Sequence, residues 1–411
     1  MRTAAIIAEC NPFHKGHEYL IRTAREQTGA ERIIVLLSGD YVQRGIPAVT
    51  DRHVRAKMTL LGGADLVLSY PTRFATASAE AFAYHAVSML DRLGCVDILV
   101  FGSESGDLEA LRNAADFFAE ENEEFQTKIK DSLKQGASFA RARAEAAGEY
   151  GKLVNSPNNI LAVEYLKALK KIGSRMGPWT LKRYIGEEVK GNKASFESLS
   201  DKAESKHSFS ASAIRKLISE NPHLSGIEKE IPTAVLEILK KDILENGTVK
   251  ADDLSLLLQD RLLRAESSED LLHYQDVTEE LAAAAFRNRN QCVRFCSFSE
   301  LLHTKNRTHS AVNRALLHIA LDIPVLSIDE TSYYTQILGF RKEAGELLHL
   351  LKKTSDIPIL AKAADAKDVL TESALSVFEE EMRVCDIYGA VRARKKERPF
   401  ISEITKSPEI V

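Results

Sequence analysis

Short apolar runs alternate with longer, helix-periodic segments over the first third of the chain. Residues 4–8, 33–37, 66–68 and 98–101 are apolar runs of strand length. Between and after them, residues 16–27, 52–61, 77–93 and 108–120 bring apolar side chains back every three to four positions. A repeat of this kind predicts βαβ units around a parallel sheet, whose ligands bind at the carboxyl ends of the strands. The turns at 9–17, 38–40 and 101–104 follow predicted strands and are expected to converge on one crevice. Further on, Asn158 or Asn159 is expected to cap a helix over 160–171, and residues 181–184 to form the last strand. Residues 186–207 are polar and patternless and read as a mobile loop. Ser210 or Ser212 then starts a helix carrying Arg215 and Lys216. Beyond residue 221 strand-like runs become rare and helical periodicity dominates to about 391. The expected fold is α/β: a Rossmann-like parallel-sheet domain over 1–220, followed by a mostly α-helical domain over 221–411.

Composition narrows the setting rather than the fold. Hydrophobic residues make up 44% and charged residues 28%, with a net charge of −4, which argues against indiscriminate nucleic-acid binding but leaves room for a local basic face. No apolar stretch approaches the roughly 20 residues of a membrane helix, and no cleavable leader is evident, so a cytoplasmic protein without membrane contact is expected. The five cysteines are too scattered for a disulfide framework. Cys292 and Cys296 have helical spacing, which fits packing more simply than a metal site, and no metal-ligand set is expected.

Candidate chemistry begins at Asn11-Pro12-Phe13-His14-Lys15-Gly16-His17. Two histidines three apart at a helix start share one face and stand beside free backbone N–H groups, where a phosphate is favoured. The alternative, a capping His14 and a packing His17, is the better reading for a bare H-x-x-H, but the full motif directly after a strand favours function. Arg215 in Ser210-Ala211-Ser212-Ala213-Ile214-Arg215 combines hydroxyls, helix N–H groups and a cation, the parts of a phosphate clamp. Gly102 is either a plain strand-end turn or a place where a ribose or base approaches the backbone. Asn158 reads most simply as a cap, and Arg183 as a surface charge. Arg52, Arg55 and Lys57 form either a solvated face or, through Arg55, a triphosphate contact. In the helical half, Arg287, Arg289, Arg294, Lys305, Arg307 and Arg314, and then Arg392, Arg394, Lys395, Lys396 and Arg398, make two basic runs, which read equally as an RNA-binding face, with Phe298, His303 and His309 as candidates for base stacking, or as solvated helix faces and a disordered tail.

The His14/His17 turn and the Arg215 segment resemble the two signature segments of the HIGH nucleotidyltransferase superfamily. Residues 38–45, 63–67, 101–104, 156–161, 338–340 and 386–388 add an end-to-end resemblance to one branch, the bacterial tRNA(Met) cytidine acetate ligase family. The resemblance implies activation of acetate by ATP, with formation of acetyl-adenylate, and transfer of the acetyl group to N4 of the wobble cytidine of elongator tRNA(Met). It implies ATP contacts along Ile7-Ala8-Glu9-Cys10-Asn11-Pro12-Phe13-His14-Lys15-Gly16-His17-Glu18-Tyr19-Leu20 and at Gly102, Asn158 and Arg183. His14 and His17 are the expected catalytic pair, with Ser210 and Arg215 on the phosphates and Mg²⁺ accompanying ATP. Two departures from the family pattern stand out: Cys10 replaces the usual aromatic residue, and residues 304–309 lack two usual tyrosines. The alternatives are a small-molecule adenylyltransferase acting on a phosphorylated cofactor precursor, and a catalytically silent tRNA-binding protein.

Overall fold

The computed structural model describes the chain except residues 121–122, 136–138, 184–210, 222–223 and 306. Ten strands are present among the described residues: β1 Thr3–Ala8, β2 Arg32–Ser38, β3 Tyr41–Val42, β4 Ile46–Pro47, β5 Leu66–Tyr70, β6 Ile98–Ser103, β7 Gly177–Lys182, β8 Thr335–Phe340, β9 Ile359–Leu360 and β10 Glu409–Ile410. The main sheet runs β10-β8-β5-β2-β1-β6-β7, with β9 on β8. From β5 to β7 every pairing is parallel. The chain moves from β1 outward to β2 and β5, then returns to the other side of β1 with β6 and β7. The strand order therefore reverses between β1 and β6, and a crevice opens at their carboxyl ends.

The strands β1, β2, β5 and β6 are buried on both faces, which is why they read as continuous apolar runs rather than as alternating patterns. On one face Ile34, Leu36, Leu66, Leu68 and Leu99 pack against the helices Ala79–Arg92, Leu108–Glu120 and Pro157–Ile172. On the other, Ile6, Ile33, Val35, Leu37 and Val67 meet α1, Lys15–Thr28, and the helices Arg52–Leu61, Ala211–Glu220 and Thr233–Asn246.

The second half of the chain is mostly helical, as expected, and it also completes the sheet. It supplies β8 antiparallel to β5, and β10 and β9 parallel to β8, so the sheet crosses the boundary expected near residue 221. A third core, from Val249 to Ile323, forms a helical layer that also takes in Tyr41, Val384 and Tyr388. The long helix Glu372–Arg394 joins this layer to the sheet. Its Glu381, with Glu403, encloses the fully buried Arg52, which donates to Glu381 Oε1 at 2.9 Å, Glu403 Oε1 at 2.8 Å and Gln336 Oε1 at 3.1 Å.

Three expectations need correction. Arg55 makes no phosphate contact: it is buried and donates to Glu9 O at 2.8 Å, Ser38 O at 2.9 Å and Thr50 O at 3.0 Å, and also to Gly39 O, stapling the ends of β1 and β2 together. Arg52 and Arg55 thus line an interior, and only Lys57 of that trio is solvated. The last parallel strand begins at Gly177, four residues before the expected position, and Tyr184 lies outside the described residues. The C-terminal basic run is partly an internal clamp, because Arg392 pairs with Asp51 at 3.2 Å and with Asp242, while Lys395 pairs with Asp253.

Candidate functional site

β1 ends at Ala8, and a turn carrying a cis Asn11–Pro12 bond leads into α1. Phe13 turns inward and fills the space over Gly62, where an added Cβ would overlap its ring. That anchor leaves His14 at the N-cap of α1. Its Nδ1 accepts from Gly16 N at 3.0 Å, while His17 Nδ1 accepts from His14 N at 3.2 Å, a reciprocal capping box built from two imidazoles. The rings lie 4.0 Å apart. Burial lowers the pKa of His14 well below its ordinary value and that of His17 to about 3, with Arg183 adding to both. Both imidazoles are therefore neutral, and since each Nδ1 is an acceptor, the proton of each resides on Nε2. The pair offers two N–H donors at a helix N-terminus.

Arg215 reaches this turn from a distant part of the sequence. It donates to Asn11 O at 2.9 Å and to Ser212 Oγ at 2.9 Å. Its helix is Ala211–Glu220; Ser210 lies outside the described residues.

Across the strand reversal, the turn after β6 holds Glu104. Its Oε1 accepts from Asn158 Nδ2 at 2.6 Å, and its Oε2 from Ser156 Oγ at 2.8 Å and Asn159 N at 2.9 Å. Glu104, not Asn158 or Asn159, caps the helix Pro157–Ile172, and these hydrogen bonds hold its carboxyl below the usual range although burial opposes them. Asn159 uses its own oxygen to accept from Glu104 N at 2.9 Å. Asn158 Oδ1 accepts from Arg183 Nη1 at 2.6 Å. Arg183 also lies over Gly102, where an added Cβ would come within 3.0 Å of its Cγ and Cδ.

These groups border one cleft with a volume of about 470 Å³, within the size range of small-molecule sites. It unites Ile7, Ala8, Glu9, Cys10, Asn11, His14, Gly16, His17, Tyr19 and Leu20 with Gly102, Asn158, Arg183 and Arg215. Pro12, Phe13, Lys15 and Glu18 do not line it. The 38–40 turn does not reach it either, because Ser38 and Asp40 are buried beneath Arg55 and Arg52. The β3–β4 hairpin just beyond supplies Gln43 and Arg44 instead. Sequence reading missed Gln43, Arg44 and Glu104 as site residues, although each lies in a segment it had marked. Phe82 and Tyr165, which form an apolar wall with Phe101 and Leu161, carried no signal beyond ordinary helix-core spacing.

The cleft thus combines the cations Arg183 and Arg215 and the N–H donors of the histidine pair with the apolar side chains of Phe82, Phe101, Leu161 and Tyr165. Among the described residues no group of three or more His, Cys, Asp or Glu side chains gathers to hold a metal. Phe298 is in the core of the helical layer rather than exposed for stacking. His303 and His309 stack on each other at 3.7 Å.

Comparison with known proteins matches residues 1–400 to the model of the HIGH Nucleotidyl Transferase family. The tRNA(Met) cytidine acetate ligase of Thermoanaerobacter sp. (strain X514) is 37% identical over 401 residues, 94% of this chain and 95% of the relative. The ligase of the same name from Caldanaerobacter subterraneus subsp. tengcongensis is 34% identical over the same shares. Thermotoga maritima TmcAL, crystallised with α-thio ATP, superposes with a TM-score of 0.85 at 29% identity, covering 100% of both chains; its apo form gives 0.88 at the same identity and coverage.

Proposed function

This chain belongs to the tRNA(Met) cytidine acetate ligase family of HIGH nucleotidyl transferases, and from that membership we infer that it is a ligase that uses ATP to acetylate a cytidine of tRNA(Met). The observation that carries the reading is the meeting of Arg215 with the Asn11 carbonyl beside His14 and His17. It brings together, at a helix N-terminus, the two segments proposed here to carry nucleotidyl transfer.

In the proposed reaction the adenosine lies by Gly102 and Arg183, and the triphosphate passes the Nε2–H groups of His14 and His17. An acetate oxygen attacks the α-phosphorus, and the bond to the bridging oxygen breaks. Pyrophosphate departs toward Arg215, leaving acetyl-adenylate. The two imidazoles need no reorganisation to donate to the charge that develops on the α-phosphate oxygens. The N4 amine of the wobble cytidine of elongator tRNA(Met) then attacks the acetyl carbon, and AMP leaves. Among the described residues no cluster of side chains offers a protein-held magnesium site, so Mg²⁺ is proposed only as a companion of the nucleotide, and no step is assigned to it.

The helical layer is the proposed RNA platform. Gly45, at the tip of the hairpin that carries Arg44 into the cleft, packs on the backbone of Asn313 and Arg314, so closely that an added Cβ would overlap it. RNA held on that layer has a short route to the cleft mouth.

Incubation with ATP, carbon-14 acetate and elongator tRNA(Met) tests the reading. Labelled N4-acetylcytidine after nuclease digestion is the expected result. Pyrophosphate release that needs ATP and a phosphorylated cofactor precursor but no acetate would assign the adenylyltransferase alternative. No turnover of either kind would leave a binding protein.

A further inference from the structure

Acetyl transfer to the exocyclic amine of cytidine must shed one proton, and that amine is a weak nucleophile because its lone pair is delocalised into the ring. A positioned base is the usual remedy. Among the described residues that border the cleft, few groups qualify. His14 and His17 have committed Nδ1 to backbone donors and carry protons on Nε2, so they donate only. Burial pushes the Cys10 thiol up to about 11 and the Tyr165 hydroxyl above its usual range. Both oxygens of Glu104 are engaged in capping.

Glu9 is different. It follows the last residue of β1, is half-buried, and borders the cleft. Its Oε1 accepts from Gln43 N at 2.9 Å, which fixes the carboxylate, while Oε2 has no hydrogen-bond partner among the described residues. Its charge acts on both the Arg215 guanidinium and the Tyr165 hydroxyl. Glu9 shares the cleft with Arg215 and with the apolar side chains of Phe82, Phe101, Leu161 and Tyr165, a surface suited to a flat nucleobase. A cytosine seated against that wall would lie in the same cleft as Oε2.

We propose that Glu9 is a catalytic residue of the transfer half-reaction, its free oxygen accepting the N4 proton. As nitrogen bonds to the acetyl carbon, the bond from that carbon to the phosphate oxygen breaks and AMP leaves with the electron pair. The proton ends on the Glu9 carboxylate and passes to solvent. This inference rests on the ligase reading above.

The test separates the half-reactions. Activation is read by acetate-dependent exchange of pyrophosphate into ATP, and transfer by single-turnover reaction of synthetic acetyl-adenylate with elongator tRNA(Met) on the enzyme. Glu9→Gln keeps an acceptor for Gln43 N and removes the basicity. Its transfer rate is expected to fall about 10²- to 10⁴-fold, the usual range for a lost general base, with exchange reduced far less. Glu9→Asp retains a carboxylate one methylene further back and is expected to be intermediate in transfer, with the same bias toward that step. Either variant suffices if the other does not fold. Equal losses in both half-reactions would make Glu9 a holder of the nucleotide or its magnesium and overturn the proposal, as would transfer within threefold of the parent. Failure of the parent enzyme to acetylate tRNA would instead overturn the ligase reading.

Discussion

His14 and His17 are held as neutral donors, and the reason is local. Each Nδ1 satisfies a backbone N–H that the start of α1 would otherwise leave without a partner, which fixes the ring orientation and forces the remaining proton onto Nε2. Replacing His17 by Ala removes one donor from the proposed phosphate path and the acceptor of His14 N. Acetate-dependent pyrophosphate exchange is expected to fall roughly 10²- to 10³-fold, the scale for one lost charge-stabilising donor; exchange within tenfold of the parent would remove His17 from the reaction. The same burial has a pH signature. The folded-state pKa of His17 is lowered to about 3, below its unfolded value near 6.5, so between those values the unfolded chain binds more protons. Its contribution to stability is intact above about pH 6.5 and is lost as pH falls toward 3. Going from pH 7 to pH 4, a His17→Asn variant is expected to lose less stability in urea titrations than the parent, and an equal loss would contradict the neutral, buried assignment.

The helix Pro157–Ile172 shows how an element's start is set by a partner that sequence spacing does not reveal. Pro157 marks the first turn in the sequence, but its cap is Glu104, 52 residues before Ser156. Glu104→Ala is expected to cost about 0.5–2 kcal/mol in urea-induced unfolding, as for a lost N-cap. Because Glu104 also orients Asn158, which receives Arg183, the KM for ATP is expected to rise several-fold as well. A stability loss with unchanged KM would confine Glu104 to the fold. The contrast with α1 explains what was legible. The His14/His17 turn is contiguous, so its residues, its helix and its donors all stand in one stretch of sequence. Arg55 was open to misreading because a cation at a helix start suggests a phosphate, whereas here the carbonyls of Glu9, Ser38, Gly39 and Thr50 occupy its Nε and both Nη groups. Those partners come from three segments that only the tertiary fold assembles. Phe82 and Tyr165 were illegible for a related reason: an apolar residue lining a cleft and one filling a core have the same helical spacing.

At the scale of the molecule, the sheet and the helical layer are bound by charge as well as by apolar packing. Arg52 is fully buried and donates to Gln336, Glu381 and Glu403 of the last third of the chain as well as to Ser69 Oγ at 3.2 Å, and truncating it would take from the buried Glu381 carboxylate its guanidinium partner at a cost of several kcal/mol. Such tight joining matters for the proposed function, because RNA gripped on the helical layer must deliver one base to a cleft formed largely by the sheet domain. With a net charge of −4, that grip has to be local. Of the first basic run, Arg289 is drawn to the Phe286 carbonyl at 2.6 Å and lies over its ring, and Arg314 pairs with Asp276 at 3.1 Å. Arg287, Arg294 and Lys305 remain exposed. Reversing all three to Glu is expected to raise the KM for tRNA in acetylation at least tenfold at moderate salt. The dependence of log KM on log salt should change by about 0.7–0.9 for each phosphate that the variant no longer neutralises. Acetate-dependent pyrophosphate exchange, which involves no RNA, reports whether the cleft itself is intact in that variant. Unchanged KM and salt slope would mean that the helical layer braces the sheet without holding the tRNA, and that the RNA approaches from another face.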